Sequence, residues 1–251
     1  MRRFIALPLL FTLTCLSLAG CGSLSPRPDP SRFFTLTAQA EVAPAAKNPG
    51  MEQLSLGVGP IQLPGYLDRD ELVTRISQNR FDVAQNDRWI EPLEENFSRV
   101  LAQNLSALLT IERIFRHPWP GNRRITHQVE IEILRFEADS AQEAQLAARW
   151  SVIDAGTKQP LAIKSSFLQR PSREQSREGS VGAMSEALAD LSREIADTVR
   201  AIVRQQKPQA GKEKSGRSEA ARILLTRSWE DICASTILRC STPPTMRRLK
   251  P

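Results

Sequence analysis

The chain has 251 residues, and its 34 lysines and arginines against 28 acidic residues give a formal net charge of +6. The positive charge lies at the ends: residues 1–20 hold two arginines and no acid, and residues 207–251 hold ten basic and four acidic residues. The remaining body, residues 21–206, holds 22 basic and 24 acidic residues, so its charge does not indicate a basic face that follows nucleic-acid phosphates, and we predict no nucleic-acid partner. Its length suits one domain with its own hydrophobic core.

The first twenty residues have the pattern of a bacterial export signal. Two arginines precede the apolar run Phe4–Leu18, which is shorter than the roughly 20 apolar residues that a membrane-spanning helix needs. The run leads to Leu18-Ala19-Gly20-Cys21, which looks like the lipobox of bacterial lipoproteins. We therefore predict a signal peptide over residues 1–20 and lipid attachment at Cys21. An ordinary signal peptide followed by a chance cysteine is the alternative.

The residues after Cys21 predict a tether and a location. Residues 22–31 contain three prolines, which keep a chain extended and prevent a helix or a central strand. In bacteria with two membranes, an aspartate after the lipidated cysteine commonly retains a lipoprotein at the inner membrane. Gly22 therefore favours a lipid anchor in the outer membrane, with the body facing the periplasm.

Residues 32–206 begin with short β-prone runs. The run Phe33–Thr37 is followed by a loose connector and by Leu54, Leu56 and Val58, whose alternation with small residues predicts a half-buried strand. Pro60 lacks a backbone donor, so we expect this strand to be an edge or to end there. Two further runs, at 72–77 and 80–85, are separated by Gln78-Asn79, which predicts a hairpin.

Helical and strand patterns then alternate along the chain. Helical spacing begins near Asp87 and includes Leu93, Phe97, Val100, Leu101, Leu105 and Leu108. Strands are predicted at 125–133, 146–154 and 161–168, and a last helix has apolar residues from Val181 to Ile202. The order predicts a two-layer α+β domain in which two amphipathic helices pack on one face of an antiparallel or mixed β-sheet.

No catalytic or metal-binding pattern appears in the sequence. The histidines are His117, in a proline-rich loop, and His127, on the apolar side of a strand, where a core histidine is expected. Glu130 and Glu132 fall on the solvent side of the same strand, which is typical of a solvated face. The sequence therefore predicts no enzyme, no cofactor and no metal site.

A turn between two predicted strands has an unusual composition. Pro64-Gly65 turns the chain and is followed by Tyr66, Leu67, Asp68 and Arg69, and Tyr66 is the only tyrosine of the chain. Apolar area beside charged groups is typical of interface anchors, so we predict a partner interface at these four residues. The alternative is a loop whose aromatic side chain fills the core.

Three of these segments, taken in order, resemble a known family. The aromatic strand Phe33–Thr37, the strand and turn Gly57–Arg69, and the helix start Trp89–Leu93 are similar to the ABC-type transport auxiliary lipoproteins, the PqiC-like family. The resemblance implies a non-enzymatic outer-membrane lipoprotein that works with an MCE-domain periplasmic tunnel protein and an associated transporter in moving lipids between membranes. Copies of the lipoprotein arranged in a ring would match the shape of such a tubular partner, so a homo-oligomeric ring is also possible.

Two other functions stay open at this point. The chain could be an assembly or integrity lipoprotein that binds another envelope protein, or, least expected, a lipoprotein enzyme. The basic tail, residues 207–251, has no counterpart in the family as we know it. Its composition predicts a disordered extension that adds little to the stability of the body, with a basic arm touching anionic lipid or cell wall as the alternative. Cys233 and Cys240 lie in this tail and are free to pair in an oxidising periplasm.

Overall fold

The computed structural model describes residues 28–39 and 51–206. The predicted signal peptide, Cys21, most of the tether and the basic tail lie outside these residues. The described residues contain two α-helices, α1 (Leu93–Leu109) and α2 (Arg177–Gln206). The strands, in chain order, are β1 (Arg32–Phe34), β2 (Leu56–Gln62), β3 (Glu71–Ser77), β4 (Arg80–Trp89), β5 (Ile114–Arg116), β6 (His127–Asp139), β7 (Ala144–Asp154) and β8 (Pro160–Arg170).

The strands form one mixed sheet that divides at β6. On one side, β6 pairs antiparallel with β7, which pairs antiparallel with β8. On the other side, the first half of β6 pairs parallel with β2, while its last residues pair parallel with β3. β5 extends the β2 arm, and β4 and β1 extend the β3 arm. The sheet therefore has two arms on one side of β6.

Pro60 lies where the β2 arm becomes irregular. The pairing of β2 with β5 ends at Val58, and the register against β6 shifts between Val58 and Ile61. Because proline donates no backbone hydrogen bond, a residue of this type disturbs a continuous ladder at that position. Beyond Gln62 the chain leaves the sheet and crosses to β3 through the segment that contains Tyr66.

Both faces of β2 are buried, so the prediction of a strand with one exposed face is wrong. The face that carries the small residues is covered by a loop. Every residue from Leu54 to Gly59 is buried. A side chain added at Gly57 would lie 3.0 Å from the Trp119 ring and 3.2 Å from Ile125, both of which come from the connection between β5 and β6. Glycine is therefore required there by the close approach of that loop.

The helices pack against the sheet and against each other. Phe97, Leu101 and Leu105 of α1 are buried, as are Leu188, Leu191 and Ile195 of α2. They meet alternate residues of the central strands, including Val129, Ile131 and Trp150, in one hydrophobic core. The predicted two-layer α+β fold is confirmed, with both helices in one layer. Within residues 28–39 and 51–206, neither helix is long and apolar enough to cross a membrane.

Two details of the predicted elements are corrected. Helical structure was expected from near Asp87, but Asp87–Trp89 belong to β4 and pair with β1, so α1 begins only after Pro92. The ion pair between Arg32 and Asp87, with nitrogen and oxygen 2.6 Å apart, fixes that register. The short strand β5 was not predicted from the sequence. The hairpin of β3 and β4 is confirmed, with Ser77 opposite Arg80.

Candidate functional site

The segment between β2 and β3 forms a tight turn around Tyr66. The amide of Leu67 donates to the carbonyl of Pro64 (2.9 Å), and the amide of Arg69 donates to the carbonyl of Leu67 (2.9 Å). These bonds satisfy backbone groups that have left the sheet. Tyr66 is half-buried, Leu67 is buried, and Asp68 and Arg69 are exposed. The four predicted interface residues are therefore contiguous in space but differ in what they can offer a partner.

Tyr66 is fixed by a buried carboxylate. Its hydroxyl donates to Glu137 Oε2 over 2.8 Å, and Glu137 is only 1% exposed. The same oxygen accepts from the amide of Phe136 (3.0 Å), while Oε1 accepts from Nε of Arg75 (2.7 Å) and Nε of Arg135 (3.1 Å). Four donors thus surround one carboxylate, which offsets the cost of burying its charge.

An aromatic contact completes this arrangement, which we call the Glu137 cluster (Tyr66, Arg75, Phe81, Arg135 and Glu137). The ring centroids of Tyr66 and Phe81 are 4.8 Å apart, and the Arg75 guanidinium lies 4.2 Å from the centroid of Phe81. Burial and the hydrogen bond to Glu137 raise the pKa of Tyr66 far above its ordinary value. The phenol therefore stays protonated and remains a donor. The cluster attaches the turn to β3, β4 and β6 through hydrogen bonds, ion pairs and the contact with Phe81.

The expectation for Leu67 requires correction. Its side chain is 3% exposed and belongs to the hydrophobic core, so it presents no apolar area to a partner. The alternative of an aromatic side chain that fills the core is met in part, because Tyr66 packs against the core from its half-buried position. Only Asp68 and Arg69, with the exposed part of Tyr66, remain as a contact surface. Whether that surface binds a partner stays a prediction.

Glu137 was missed by sequence reasoning. The alternation that marks β6 was followed only to Ile133, and the register shift that follows, between Ile133 and Arg135, reverses the apparent faces. Phe136 and Ala138 then point into the core, while Glu137 lies on the other face beneath the turn. The one available signal was a charged residue between two apolar ones beside an arginine, which does not identify its partner 71 positions away.

A shallow groove lies on the same face of the sheet, away from the helices. It has a volume of about 310 Å³ and is lined by residues that include Glu130, Glu132, Arg149 and Ile163. Arg149 and Glu132 form an exposed ion pair with a separation of 3.6 Å. Gln128, two residues before Glu130 on the same strand, is buried, and its side-chain amide donates to the carbonyl of Gly59 (3.0 Å). The groove contains an exposed ion pair between Glu132 and Arg149, as expected for a strand face that is open to solvent.

His127 is a buried histidine with two polar neighbours. Its Nδ1 lies 3.1 Å from the Thr126 hydroxyl, and its Nε2 lies 3.2 Å from Oε1 of Gln206 at the end of α2. In the part of the chain that the structure describes, no three His, Cys, Asp or Glu side chains are grouped to hold a metal ion. Through its contact with Gln206, His127 links the start of β6 to the last residue of α2.

We expect the stability of the fold to fall when the pH drops below about 6.5, because of His127. Burial lowers the pKa of His127 from its ordinary 6.5, so protonation favours the unfolded chain. This contribution is complete above pH 6.5 and is lost as the pH falls toward the lowered pKa. The measurement is the melting temperature between pH 7 and pH 5 for the protein and for His127→Gln. A pH dependence that is equally steep in both proteins would contradict this assignment.

The sequence and the fold both match known proteins. A sequence model described as the ABC-type transport auxiliary lipoprotein component matches residues 34–196. The crystal structure of XCC0632 from Xanthomonas campestris, a DUF330 protein, superposes with a TM-score of 0.60 at 16% identity, covering 70% of this chain and 98% of that one. A crystal structure of an uncharacterized protein gives a TM-score of 0.55 at 18% identity, covering 67% and 98%. The sequence matches none of the curated proteins compared with it.

Proposed function

Because the chain belongs to the family of ABC-type transport auxiliary lipoprotein components, we propose that it is the outer-membrane lipoprotein subunit of an MCE-type intermembrane lipid transport system. The observation that carries the proposal is the family match over residues 34–196, to which the lipobox at Cys21 adds an anchor. In this role the protein is non-enzymatic: it holds a periplasmic tunnel protein at the membrane in which its own lipid is embedded, and so supports membrane integrity.

The anchor and the body have separate tasks in this proposal. Several acyl chains on Cys21 hold the protein in the membrane, since each buried methylene contributes about 0.8 kcal/mol. The tether, residues 22–31, spans up to roughly 30 Å when extended, so the body can meet a partner in the periplasm without leaving the membrane. The body then needs a rigid surface for that partner, and the turn held by the Glu137 cluster supplies one.

The exposed charges of the turn set the orientation of the partner. Asp68 and Arg69 project beside Tyr66, whose ring and hydroxyl are both fixed, so little side-chain freedom is lost there on binding. Charges of opposite sign at adjacent positions discriminate between complementary and mismatched partner groups more than they raise affinity. We therefore assign the docking of the MCE-domain protein to Asp68, Arg69 and the exposed edge of Tyr66. A homo-oligomeric ring, which would match a tubular partner, is part of the same proposal.

The first test concerns the anchor. Cys21→Ser removes the thiol that accepts the lipid, so we expect no incorporation of a labelled fatty acid and a precursor that is not processed or is found away from the outer membrane. The measurement is fatty-acid labelling together with membrane fractionation, beside Cys15→Ser as a matched control within the signal peptide. Label retained by the Cys21→Ser protein would refute the anchor.

The second test concerns docking. Exchanging the two charges, Asp68→Arg with Arg69→Asp, keeps the net charge and leaves Tyr66 and Leu67 in place. We expect capture of the MCE-domain protein by the lipidated protein to fall while the melting temperature stays unchanged, because both positions are exposed. The control is Glu132→Arg with Arg149→Glu, which exchanges an exposed ion pair elsewhere on the sheet.

The outcomes of this capture experiment separate the candidate functions. Equal loss in both variants, or no loss in either, would refute the assignment of docking to Asp68 and Arg69. Failure of the unaltered protein to capture an MCE-domain protein, with recovery of another envelope protein in its place, would favour an assembly or integrity lipoprotein. Replacement of Tyr66 or Leu67 is a poorer test, because both side chains contribute to the core.

A further inference from the structure

The large apolar side chains that the described residues leave exposed gather toward two ends of the sheet. Ile163 and Phe167 on β8 are 74% and 58% exposed, and Leu161 joins them. At the opposite end, Val83 on β4 and Phe33 on β1 are exposed, as is Ile90 just after β4. Only Leu134 of this set lies on β6, between the two groups. Large contiguous apolar patches on a monomer mark interaction sites, and Ile163 and Phe167 lie four residues apart on one strand.

The face of β8 that is turned to the helices is mixed, since Ala162 and Leu168 pack against the core on the same face as Lys164 and Ser166. Lys164 and Ser166 face α2, where Lys164 Nζ donates to the Thr198 hydroxyl (2.8 Å) and Ser166 donates to Glu194. The apolar residues Leu161, Ile163 and Phe167 therefore point to the outer face, away from the helices. β8 therefore carries apolar residues on both faces, and the larger exposed ones lie on the outer face.

Both ends of the sheet also have free backbone edges. Within residues 28–39 and 51–206, β8 pairs with β7 alone. Among the same residues, β4 pairs with β3 on one side from Arg80 to Arg88 and with β1 on its other side only at Asp87–Trp89, so residues 80–86 have no strand partner on that second side. An unprotected edge of this length is a template for pairing with another strand.

The directions of the two edges are complementary. β8 runs parallel to β6 because two antiparallel steps separate them, whereas β4 runs antiparallel to β3 and so to β6. Two copies in the same orientation, side by side, therefore bring β8 of one against β4 of the other as an antiparallel pair. The helices of both copies then lie on the same side of the continuous sheet.

One register suits both faces of such a pair. Phe81 lies opposite Arg75 on the outer face of the sheet, and Val83, two residues further along β4, lies on the same face. When Ile163 lies opposite Val83, two exposed apolar side chains therefore meet on the outer face. On the helix face the same register places Lys164 opposite Asp82, whose contact with Arg177 is long, at 3.6 Å. A shift of two residues in one direction would set Lys164 against Arg80, and in the other would set Ile163 against Gln85. Like charges opposite each other are unfavourable.

We propose that β8 of one copy pairs antiparallel with residues 80–86 on β4 of a second copy of this chain, with Ile163 opposite Val83 and Lys164 opposite Asp82. The contact is head-to-tail, so each added copy leaves one free edge of each kind, and association continues until a ring closes. The contact would build the homo-oligomeric ring of the proposed function, but it is argued from the sheet edges alone and is tested without the MCE-type partner. On β4 the contact lies next to the Tyr66 turn, because Phe81 packs against the Tyr66 ring.

Disulfide cross-linking tests the register. Paired antiparallel residues bring their Cα atoms about 4.5–5.5 Å apart, which a disulfide can span. Ile163→Cys and Val83→Cys are made separately in full-length lipidated protein that carries Cys233→Ser and Cys240→Ser. Under mild oxidation we expect a covalent dimer from the mixture, none from either variant alone, and a ladder of oligomers from the double variant. Ile90→Cys, an exposed apolar position outside the pair, replaces Val83→Cys in the control mixture.

The charge pair gives a second, independent measurement. Adding Lys164→Glu to the Ile163→Cys chain should reduce the yield of covalent dimer, and adding Asp82→Lys to the Val83→Cys chain should restore it. Circular dichroism melting establishes that each variant is folded. A dimer from Ile163→Cys alone would overturn the proposal in favour of a two-fold β8 contact. A yield no greater than that of the Ile90→Cys control, or a folded monomer at every concentration, would overturn it as well.

Discussion

Leu191→Asp is expected to lower the free energy of unfolding by about 4 kcal/mol, because it places an unpaired carboxylate in the core. Leu191 is 0% exposed and lies on the face of α2 that packs on the sheet. Because no lysine or arginine is buried among the described residues, an aspartate at this position would have no buried cation to pair with. The substitution also removes apolar contacts and leaves space that neighbouring side chains fill only in part.

The measurement is denaturant unfolding of Leu191→Asp beside Ala201→Asp, which introduces the same carboxylate at an exposed position of the same helix. The control should change stability by less than about 1 kcal/mol, as surface substitutions usually do. Near-identical unfolding of the two variants would show that this face of α2 is open to a neighbouring subunit and is not part of the core.

Glu137→Leu is expected to cost about 3 kcal/mol of stability, since the removal of one member of a buried charge group leaves its partners uncompensated. Arg75 and Arg135 would lose their shared acceptor, and the Tyr66 hydroxyl and the Phe136 amide would lose theirs. The turn that carries Asp68 and Arg69 would lose its main attachment to β6. The loss should therefore appear both in the melting temperature and in the capture of a partner.

Two variants make this experiment specific. Glu132→Leu replaces an exposed glutamate on the same strand and should change stability little. Tyr66→Phe removes one donor and should cost about 1–2 kcal/mol. If Tyr66→Phe and Glu137→Leu act through the same hydrogen bond, the cost of the double variant will be less than the sum of the single costs. Additive costs would show that Tyr66 and Glu137 are not coupled.

The sequence predicts those elements whose pattern is local. The alternation in β6 and the helical spacing of apolar residues in α2 report burial directly, because each element meets the core along one face. Gln78-Asn79 likewise marks its turn from four consecutive residues. The two-layer α+β fold follows from such signals, and so does the expectation that His127 belongs to the core.

What the sequence leaves open is decided by partners far along the chain. Asp87–Trp89 became a strand because β1 lies alongside, some 55 positions earlier. Leu67 is buried and Glu137 is satisfied because the turn and the end of β6 meet across 71 positions. The composition of the turn at Tyr66 was visible in the sequence and led to the prediction of a partner interface, but the carboxylate that supports the turn carries no local signature.

The division of the sheet at β6 also bears on the order in which this chain can fold. β2, β3 and β4 all precede α1, yet both arms attach to the rest of the sheet through β6, which begins at His127. A chain that emerges from its N-terminus therefore carries these strands for many residues before the ladder that joins them exists. Contacts of such long sequence separation make folding slow. Until Asp139 has emerged, the earlier strands cannot complete their sheet and must be kept from pairing with other chains.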